Sequence, residues 1–179
     1  PCSHHGKTPP CSEFIVSNKI PNVVIGSIDS NIEVAGKGIQ YLEKNGVNVV
    51  TGILEKESIY LNRRFFTFHE KKRPYVILKW AQSLDGFIDV IRLNTEQKGT
   101  WLTNETCRAL VHKWRAEEAS ILIGKQTAIL DNPALNIRSW SGKNPLRIVI
   151  DKEADLQNNL KVFDQSSPTI CYTGRKRVP

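Results

Sequence analysis

The feature that most constrains this sequence is an alternation between short apolar runs and segments with helical periodicity. Residues 22–28 and 47–53 are apolar runs of strand length. The helical segment 36–45 lies between them and ends at Gly46, a residue type common just after helices. Further strands are predicted at 75–81, 120–123, 146–150 and 169–172. A strand–helix–strand rhythm is typical of a parallel sheet covered by helices, so the sequence predicts an α/β fold.

A change of hydrophobic period and a proline divide the sequence into two predicted domains. One amphipathic helix is predicted over 55–69 from apolar residues at helical spacing: Leu54, Leu61, Phe65 and Phe68. Pro74 disfavours helix at the preceding residue, and a new strand pattern starts directly after it. Because 179 residues are enough for two small domains, we expect one domain over 1–72 and another over 73–179.

The longest predicted helix of the second domain covers 104–118, with Thr103 as its N-cap. Its apolar face is predicted from i, i+3, i+4, i+7 spacing and consists of Cys107, Leu110, Val111 and Trp114. A shorter helix is predicted over 125–130. The sequence holds only four cysteines, so we expect Cys107 and Cys171 to be small core residues rather than disulfide partners.

The charge of the sequence favours small anionic ligands over nucleic acid. Lys and Arg total 25 against 18 Asp and Glu, a formal net charge of +7. The excess is spread evenly, and its only clusters, at 71–73 and 175–177, are short. Nucleic-acid binders usually concentrate basic charge on one face, so we expect no nucleic-acid partner. No run of about 18 apolar residues is present, so we also expect no membrane span.

The first eleven residues combine two cysteines with two histidines, which are the ligand types that Zn²⁺ prefers. Cys2 and Cys11 are separated by eight residues, unlike the two-to-four-residue spacing of structural zinc knuckles. Prolines and Gly6 stiffen the loop between them. Spacing alone leaves two alternatives: a pair of zinc ligands, or two unlinked thiols in a surface loop. His4 and His5 are candidate ligands or substrate contacts.

Residues 1–11 and 29–38 resemble the second zinc half-motif of the riboflavin-pathway pyrimidine deaminases, which belong to the cytidine-deaminase-like superfamily. That superfamily joins an upstream His-x-Glu to downstream cysteines that hold zinc, with the Glu as proton shuttle. The resemblance implies a Zn²⁺ site with Cys2 and Cys11 as thiolate ligands. It also implies a catalytic role for Lys7 in proton and ammonia transfer, and substrate binding by His4. Without the resemblance, Lys7 would be interpreted as a solvated loop residue.

Three later segments, 79–86, 101–103 and 131–138, resemble the reductase domain of the bifunctional riboflavin biosynthesis deaminase/reductase family. The implied fold is the C-terminal part of a cytidine-deaminase-like domain followed by the N-terminal part of a dihydrofolate-reductase-like domain. The implied reactions are zinc-dependent deamination of diaminohydroxyphosphoribosylaminopyrimidine and NADPH-dependent reduction of the ribosyl side chain of the aminouracil phosphate. The family is cytoplasmic, and a homo-oligomer is an open alternative.

The resemblance assigns substrate contacts and a catalytic lysine to the reductase half. Lys79 interrupts an apolar run and would polarise a carbonyl or imine, although a lysine there is also typical of an edge strand. Arg115 and Arg138 match substrate-binding arginines, whose guanidinium fork suits phosphate. Leu135 and Gly99 match further substrate positions. At Gly99 the family often has Ser, so the hydroxyl contact is lost unless Thr100 provides it.

The same resemblance assigns an NADPH site. Its residues are Ala81, Trp101, Thr127, Asp131 and Lys152, with Lys152 at a position usually occupied by a small polar residue. Trp101 alone would be interpreted as a core aromatic. No Gly-x-Gly-x-x-Gly fingerprint of a Rossmann domain is present. The family's glycine-rich NADPH loop is expected beyond Pro179.

Two other functions remain open at this point. One is a zinc-stabilised module that binds nucleic acid, which steep salt dependence would reveal. The other is a reductase-only protein whose deaminase half is structural. The sequence has no Met and begins at Pro1, so we expect a piece of a longer protein that is incomplete for both reactions by itself.

Overall fold

The computed structural model describes residues 1–30, 36–92 and 97–174. The chain forms two compact units, Pro1–Leu78 and Lys79–Pro179. Each has its own parallel sheet, so the α/β fold predicted from the alternation is confirmed for both. None of the helices in the described residues is long and apolar enough to span a bilayer.

The first unit is a small parallel α/β arrangement. Its elements are α1 (Cys11–Ser17), β1 (Asn22–Ile25), α2 (Lys37–Lys44), β2 (Asn48–Thr51), α3 (Glu55–Leu61) and α4 (Arg63–Lys71). Strands β1 and β2 pair in parallel, in a register that joins Asn22 to Asn48 and Ile25 to Thr51. A parallel pair needs a crossover connection, and α2 lies within that connection. The strands are shorter than the predicted runs.

One predicted helix of the first unit is two helices in the structure. The segment 55–69 breaks at Asn62, which has φ −99° and ψ 20° and whose side-chain amide donates to the Ser58 carbonyl at 3.0 Å. Asparagine side chains compete with the backbone for such carbonyls, so the hydrophobic period continues while the helix ends. The second helix stops at Lys72, which adopts φ 52°.

A close approach in the first unit fixes its amino-terminal segment. A Cβ built on Gly38 of α2 would lie 1.9 Å from the carbonyl oxygen of Pro1, which no side chain can accommodate. Glycine at this position therefore lets the start of the chain lie against α2. Cys2 is positioned by this contact.

The second unit contains a three-stranded parallel sheet. Its elements are α5 (Glu105–Glu117), β3 (Ser120–Gly124), α6 (Lys125–Asp131), β4 (Leu146–Ile150), a 3₁₀ turn (Lys161–Phe163) and β5 (Thr169–Tyr172). The strand order is β3-β4-β5. Its core consists of Ala128, Leu135, Val149 and Val162. These three strands and α6 lie within one residue of the predicted ranges.

The strand predicted over 75–81 is wrong: in the described part of the chain this segment joins neither sheet. Val76 and Leu78 are exposed, and the boundary between the two units falls inside the segment. A strand requires a neighbour that completes its backbone hydrogen bonds. Apolar sequence alone does not supply that neighbour.

Two expectations for α5 are also wrong. Its N-cap is Asn104, whose side-chain oxygen accepts from the Cys107 N–H at 2.9 Å, rather than Thr103. The predicted apolar face is not a core face, since Cys107 is exposed and Trp114 is 42% exposed. The buried residue of α5 is His112, at 2%, because this side of the helix packs against the loop after residue 135. Cys171 is half-buried.

Candidate active site

A cavity of about 1280 Å³ lies within the second unit, larger than the several hundred Å³ of most ligand pockets. Residues that follow β3 and β4 contribute to it, which is where parallel α/β sheets usually bind ligands. Eight of the ten residues predicted for the reductase half line this cavity: Lys79, Ala81, Gly99, Trp101, Arg115, Asp131, Leu135 and Arg138. Thr127 and Lys152 are exposed and do not line it.

Two arginines give one part of the cavity an unbalanced positive charge. Arg115, in the last turn of α5, donates from Nη1 to the Asn136 carbonyl at 3.1 Å, while its Nε is buried without a partner. Arg138 donates to the Asn136 side-chain oxygen at 3.4 Å. Burial, and then the nearby charge of Arg138, lower the pKa of Arg115. No described carboxylate forms an ion pair with either arginine, so their positive charge is not balanced within the described part of the protein.

A buried histidine, His112, lies close to both arginines. The Nδ1 of His112 accepts a hydrogen bond from the backbone N–H of Arg138 at 3.3 Å. Burial is the main cause that lowers the pKa of His112, and the charges of Arg115 and Arg138 add to it. Sequence reasoning missed His112, since it lies among the residues of α5 without any recognisable motif.

Another part of the cavity lining is organised by Arg92, a residue that no sequence motif identified. Its guanidinium pairs with Asp131 at 2.5 Å and Asp89 at 2.8 Å, and it donates to the Leu130 carbonyl at 3.1 Å. Asp89 also accepts from the Thr100 N–H at 3.0 Å, which is the main cause that lowers the pKa of Asp89. One signal was available: an aspartate at a helix C-terminus is unfavourable for the helix dipole and calls for a cation.

Another cation of the cavity, Lys125, is surrounded by acids. Lys125, the first residue of α6, lies 2.5 Å from Asp155, 3.6 Å from Glu153 and 3.9 Å from Asp151. The contact with Asp155 is the main cause that raises the pKa of Lys125. Its charge is therefore already balanced by the protein, unlike the charges of Arg115 and Arg138.

The backbone of the loop after α6 is held in an unusual conformation. Leu135 is 4% exposed and adopts φ 54°, which is uncommon outside glycine. The preceding carbonyl, of Ala134, accepts from Nη1 of the buried Arg147 at 3.3 Å. Positive φ at a non-glycine residue often marks a functional loop, so the structure gives Leu135 a backbone position that the sequence did not reveal.

Trp101 and Lys79 are more accessible parts of the cavity. Trp101 is 71% exposed, so it is not a core aromatic, and the guanidinium of Arg108 lies 4.4 Å from its ring centroid. A cation over the indole face orients the ring. Lys79 is exposed and lines the same cavity, although it does not lie in a strand.

The two amino-terminal cysteines of the first unit meet. The backbone N–H of Cys11 donates to the Sγ of Cys2 at 3.4 Å. This hydrogen bond is the main cause that lowers the pKa of the Cys2 thiol, which burial opposes. Lys7 and His4 are exposed in the same loop. Within the described residues, no group of three or more His, Cys, Asp or Glu is arranged to hold a metal ion.

The parallel sheet and the arginine-lined cavity of the second unit define an α/β domain with positive charge in its cavity. Comparison with known proteins specifies the family, because residues 74–178 match the model of the RibD C-terminal domain. The chain belongs to the RibD family of riboflavin biosynthesis proteins. The resemblance inferred from the motifs is therefore confirmed.

Individual relatives agree with this assignment. The chain is 36% identical over 178 residues to riboflavin biosynthesis protein RibD of Aquifex aeolicus, covering 98% of this chain and 49% of the relative. It is 42% identical over 153 residues to RibD of Actinobacillus pleuropneumoniae, covering 86% and 40%. The chain thus spans about half the length of the curated relatives it matches.

Solved structures share the fold. A diaminohydroxyphosphoribosylaminopyrimidine deaminase/5-amino-6-(5-phosphoribosylamino)uracil reductase of Thermotoga maritima matches with a TM-score of 0.88 at 36% identity, covering 99% of this chain and 50% of that one. RibD of Acinetobacter baumannii matches with a TM-score of 0.85 at 33% identity, again over 99% and 50%.

Proposed function

We propose that the second unit forms part of the active site of an NADPH-dependent reductase in riboflavin biosynthesis. Its substrate would be the phosphorylated aminouracil whose ribosyl side chain becomes a ribityl chain. The observation that carries this proposal is the pair Arg115 and Arg138, two cations that line the cavity and have no carboxylate partner among the described residues. RibD membership supports the same assignment.

The phosphate of the substrate would bind between the two arginines. Burial and repulsion by Arg138 make the positive charge of Arg115 costly, and the negative charge of a phosphate dianion would offset that cost. The phosphate oxygens can also accept a hydrogen bond from the buried, unpartnered Nε of Arg115. Lys125 is a weaker candidate, because three carboxylates already surround it. Leu135 and Gly99 would contact the remainder of the substrate from the same cavity.

NADPH would supply the hydride when bound. Ala81, Trp101 and Asp131 line the cavity and are proposed to contact NADPH, together with the exposed Thr127 and Lys152, which do not line the cavity. The exposed Trp101 ring, oriented by Arg108, offers an aromatic face to a planar group. We propose that the ammonium of Lys79 polarises the carbonyl or imine of the sugar chain, whose carbon accepts the hydride.

The first unit is proposed to be the C-terminal part of a cytidine-deaminase-like domain, and the second the N-terminal part of a dihydrofolate-reductase-like domain. Cys2 and Cys11 fit as two thiolate ligands of Zn²⁺, since a backbone N–H joins them and favours the thiolate at Cys2. Zinc would supply a hydroxide nucleophile near neutral pH. The described residues do not complete a four-ligand set, so no deamination step follows from them alone. Lys7 and His4 keep their proposed roles in proton transfer and substrate contact.

The test is steady-state kinetics of the full-length protein with the Arg115→Ala substitution. We expect the KM for the phosphorylated aminouracil to rise by about tenfold or more, because a charge-assisted contact to phosphate is lost. Zinc content and deamination should stay unchanged. Lys113→Ala, on the same helix but in an exposed ion pair with Glu117, is the matched control.

Two results would overturn the proposal. One is that the full-length protein fails to oxidise NADPH with the phosphorylated aminouracil. The other is that Arg115→Ala lowers zinc content, deamination and reduction together, which would mean that the arginine stabilises the fold rather than binding substrate. Cytoplasmic location and homo-oligomer formation stay predictions.

A further inference from the structure

We propose that His112 is a positioning residue that holds Arg138 in place for phosphate binding. This inference rests on the proposed function of Arg115 and Arg138. The role is to fix the distance between the two arginines, and the buried imidazole that would perform it does not itself line the cavity.

The geometry places His112 and Arg115 one turn apart on α5. Residues three positions apart lie on the same side of a helix, and both side chains contact the loop that carries Arg138. His112 Nδ1 accepts from the Arg138 N–H at 3.3 Å, and Arg115 Nη1 donates to the Asn136 carbonyl at 3.1 Å. The loop is therefore attached to the helix at two backbone atoms, on either side of residue 137.

Only one protonation state of His112 can make this contact. An imidazole accepts at Nδ1 when that nitrogen carries no proton, whereas a protonated imidazole donates from both nitrogens. The charged groups that act on His112 are Arg108 and Arg115 of α5 and Arg138 of the loop, all cations. Together with 2% exposure, they favour the neutral ring, which is the form that can accept.

The neighbouring Ile137 N–H donates to the Asn144 side-chain oxygen at 2.8 Å, but among the described residues only His112 accepts from the backbone N–H of Arg138. The guanidinium of Arg138 is exposed, and the contact with the Asn136 side chain is long, at 3.4 Å. Loss of the His112 acceptor would leave the Arg138 N–H unpaired beside α5 and free the residue to move away from Arg115. Only Arg115 would then remain positioned to bind the phosphate.

The experiment compares His112→Asn with His112→Gln in the full-length protein. Asparagine places its amide oxygen near the position of Nδ1, whereas glutamine places it near Nε2, so only the first retains the acceptor. We expect His112→Gln to raise the KM for the phosphorylated aminouracil about tenfold, the scale of one lost contact to a charged group. The kcat and the KM for NADPH should change by less than about threefold, and His112→Asn should stay close to wild type.

A double-substitution cycle separates positioning from general stability. In an Arg138→Ala background, His112→Gln should have no further effect on the KM, because residues acting through one another are not additive. Phosphate binding without catalysis is measured with ribose 5-phosphate, as the rise in the thermal unfolding temperature that this ligand causes. His112→Gln should reduce that protection and His112→Asn should retain it.

The outcomes distinguish this inference from the proposed function. Suppose that ribose 5-phosphate protects wild type and His112→Asn against unfolding more than it protects His112→Gln, but that wild type does not oxidise NADPH. The proposed function then fails and the positioning role stands. If wild type reduces its substrate while both His112 variants bind equally well, or lose affinity and thermal stability equally, the positioning role is overturned. Additive effects with Arg138→Ala would overturn it as well.

Discussion

Arg92 is a single side chain that organises part of the cavity although no sequence motif identifies it. Its guanidinium contacts Asp131 at the end of α6, the Leu130 carbonyl and Asp89, and Asp89 in turn accepts from Thr100. Three segments that line the cavity are thereby tied to one group. The planar fork of arginine suits this arrangement, since it can donate in several fixed directions at once.

Replacement of Arg92 should weaken NADPH binding. We expect Arg92→Gln to raise the KM for NADPH by about tenfold, because Asp131 and Asp89 lose their counter-ion and Asp89 is the acceptor that holds the Thr100 N–H. Arg92→Lys keeps the charge but not the fork and should rescue only part of the loss. Initial rates at varied NADPH measure both. An unchanged KM for NADPH in Arg92→Gln would contradict the role given to this wall of the cavity.

At the scale of secondary-structure elements, the local hydrophobic pattern predicted those helices and strands whose formation depends mainly on local sequence. Strands β3, β4 and β5 follow apolar runs closely, because their β-branched residues suit a buried parallel sheet. The run 75–81 has similar composition but no partner strand in the described residues, and pairing is a property of the whole fold. The break at Asn62 depends on one side-chain hydrogen bond, which hydrophobic periodicity does not register.

Strand β4 also contains a buried cation that apolar patterning would not place there. Arg147 is fully buried and donates to Asp164 at 2.8 Å and to Thr169 of β5 at 2.9 Å. A further contact reaches the Ala134 carbonyl, so β4 fixes the loop that leads to Leu135. This explains how a strand in the core positions a residue of the cavity.

Acid should weaken the attachment of that loop. Hydrogen bonds from Ser166, and then from Arg147, lower the pKa of Asp164 to about 2, below about 3.9 in an unfolded chain. A lowered folded-state pKa contributes stability above the unfolded value and loses it as pH falls. We therefore expect wild type to lose stability between about pH 4 and about 2, measured as the urea midpoint. Asp164→Asn should lack this component, and parallel pH curves for the two proteins would contradict the assignment.

At the scale of the whole molecule, the sequence anticipated which residues belong together better than it anticipated how they are held. Eight of the ten residues predicted for the reductase half share one cavity, because the resemblance carries spatial information that composition does not. The groups it missed, Arg92, His112 and Lys125, act on neighbours far away in sequence. Their role depends on tertiary contacts, so no spacing rule could identify them. Thr127 and Lys152 do not line the cavity, and their role stays a prediction.

The overall charge separates the remaining functional alternatives. A net charge of +7 would serve nucleic-acid binding if many phosphates were contacted together, and the logarithm of affinity would then fall with a slope of several units against the logarithm of salt concentration. The cavity instead offers two unpaired arginines, enough for one phosphate.

We expect ribose 5-phosphate binding to weaken between 50 and 200 mM salt by less than about tenfold, compared with about 10³-fold or more for six or more phosphate contacts. Isothermal titration at several salt concentrations measures this. A matched titration with single-stranded oligonucleotide should show no binding that competes with ribose 5-phosphate, and tight, steeply salt-dependent oligonucleotide binding would favour the nucleic-acid module instead.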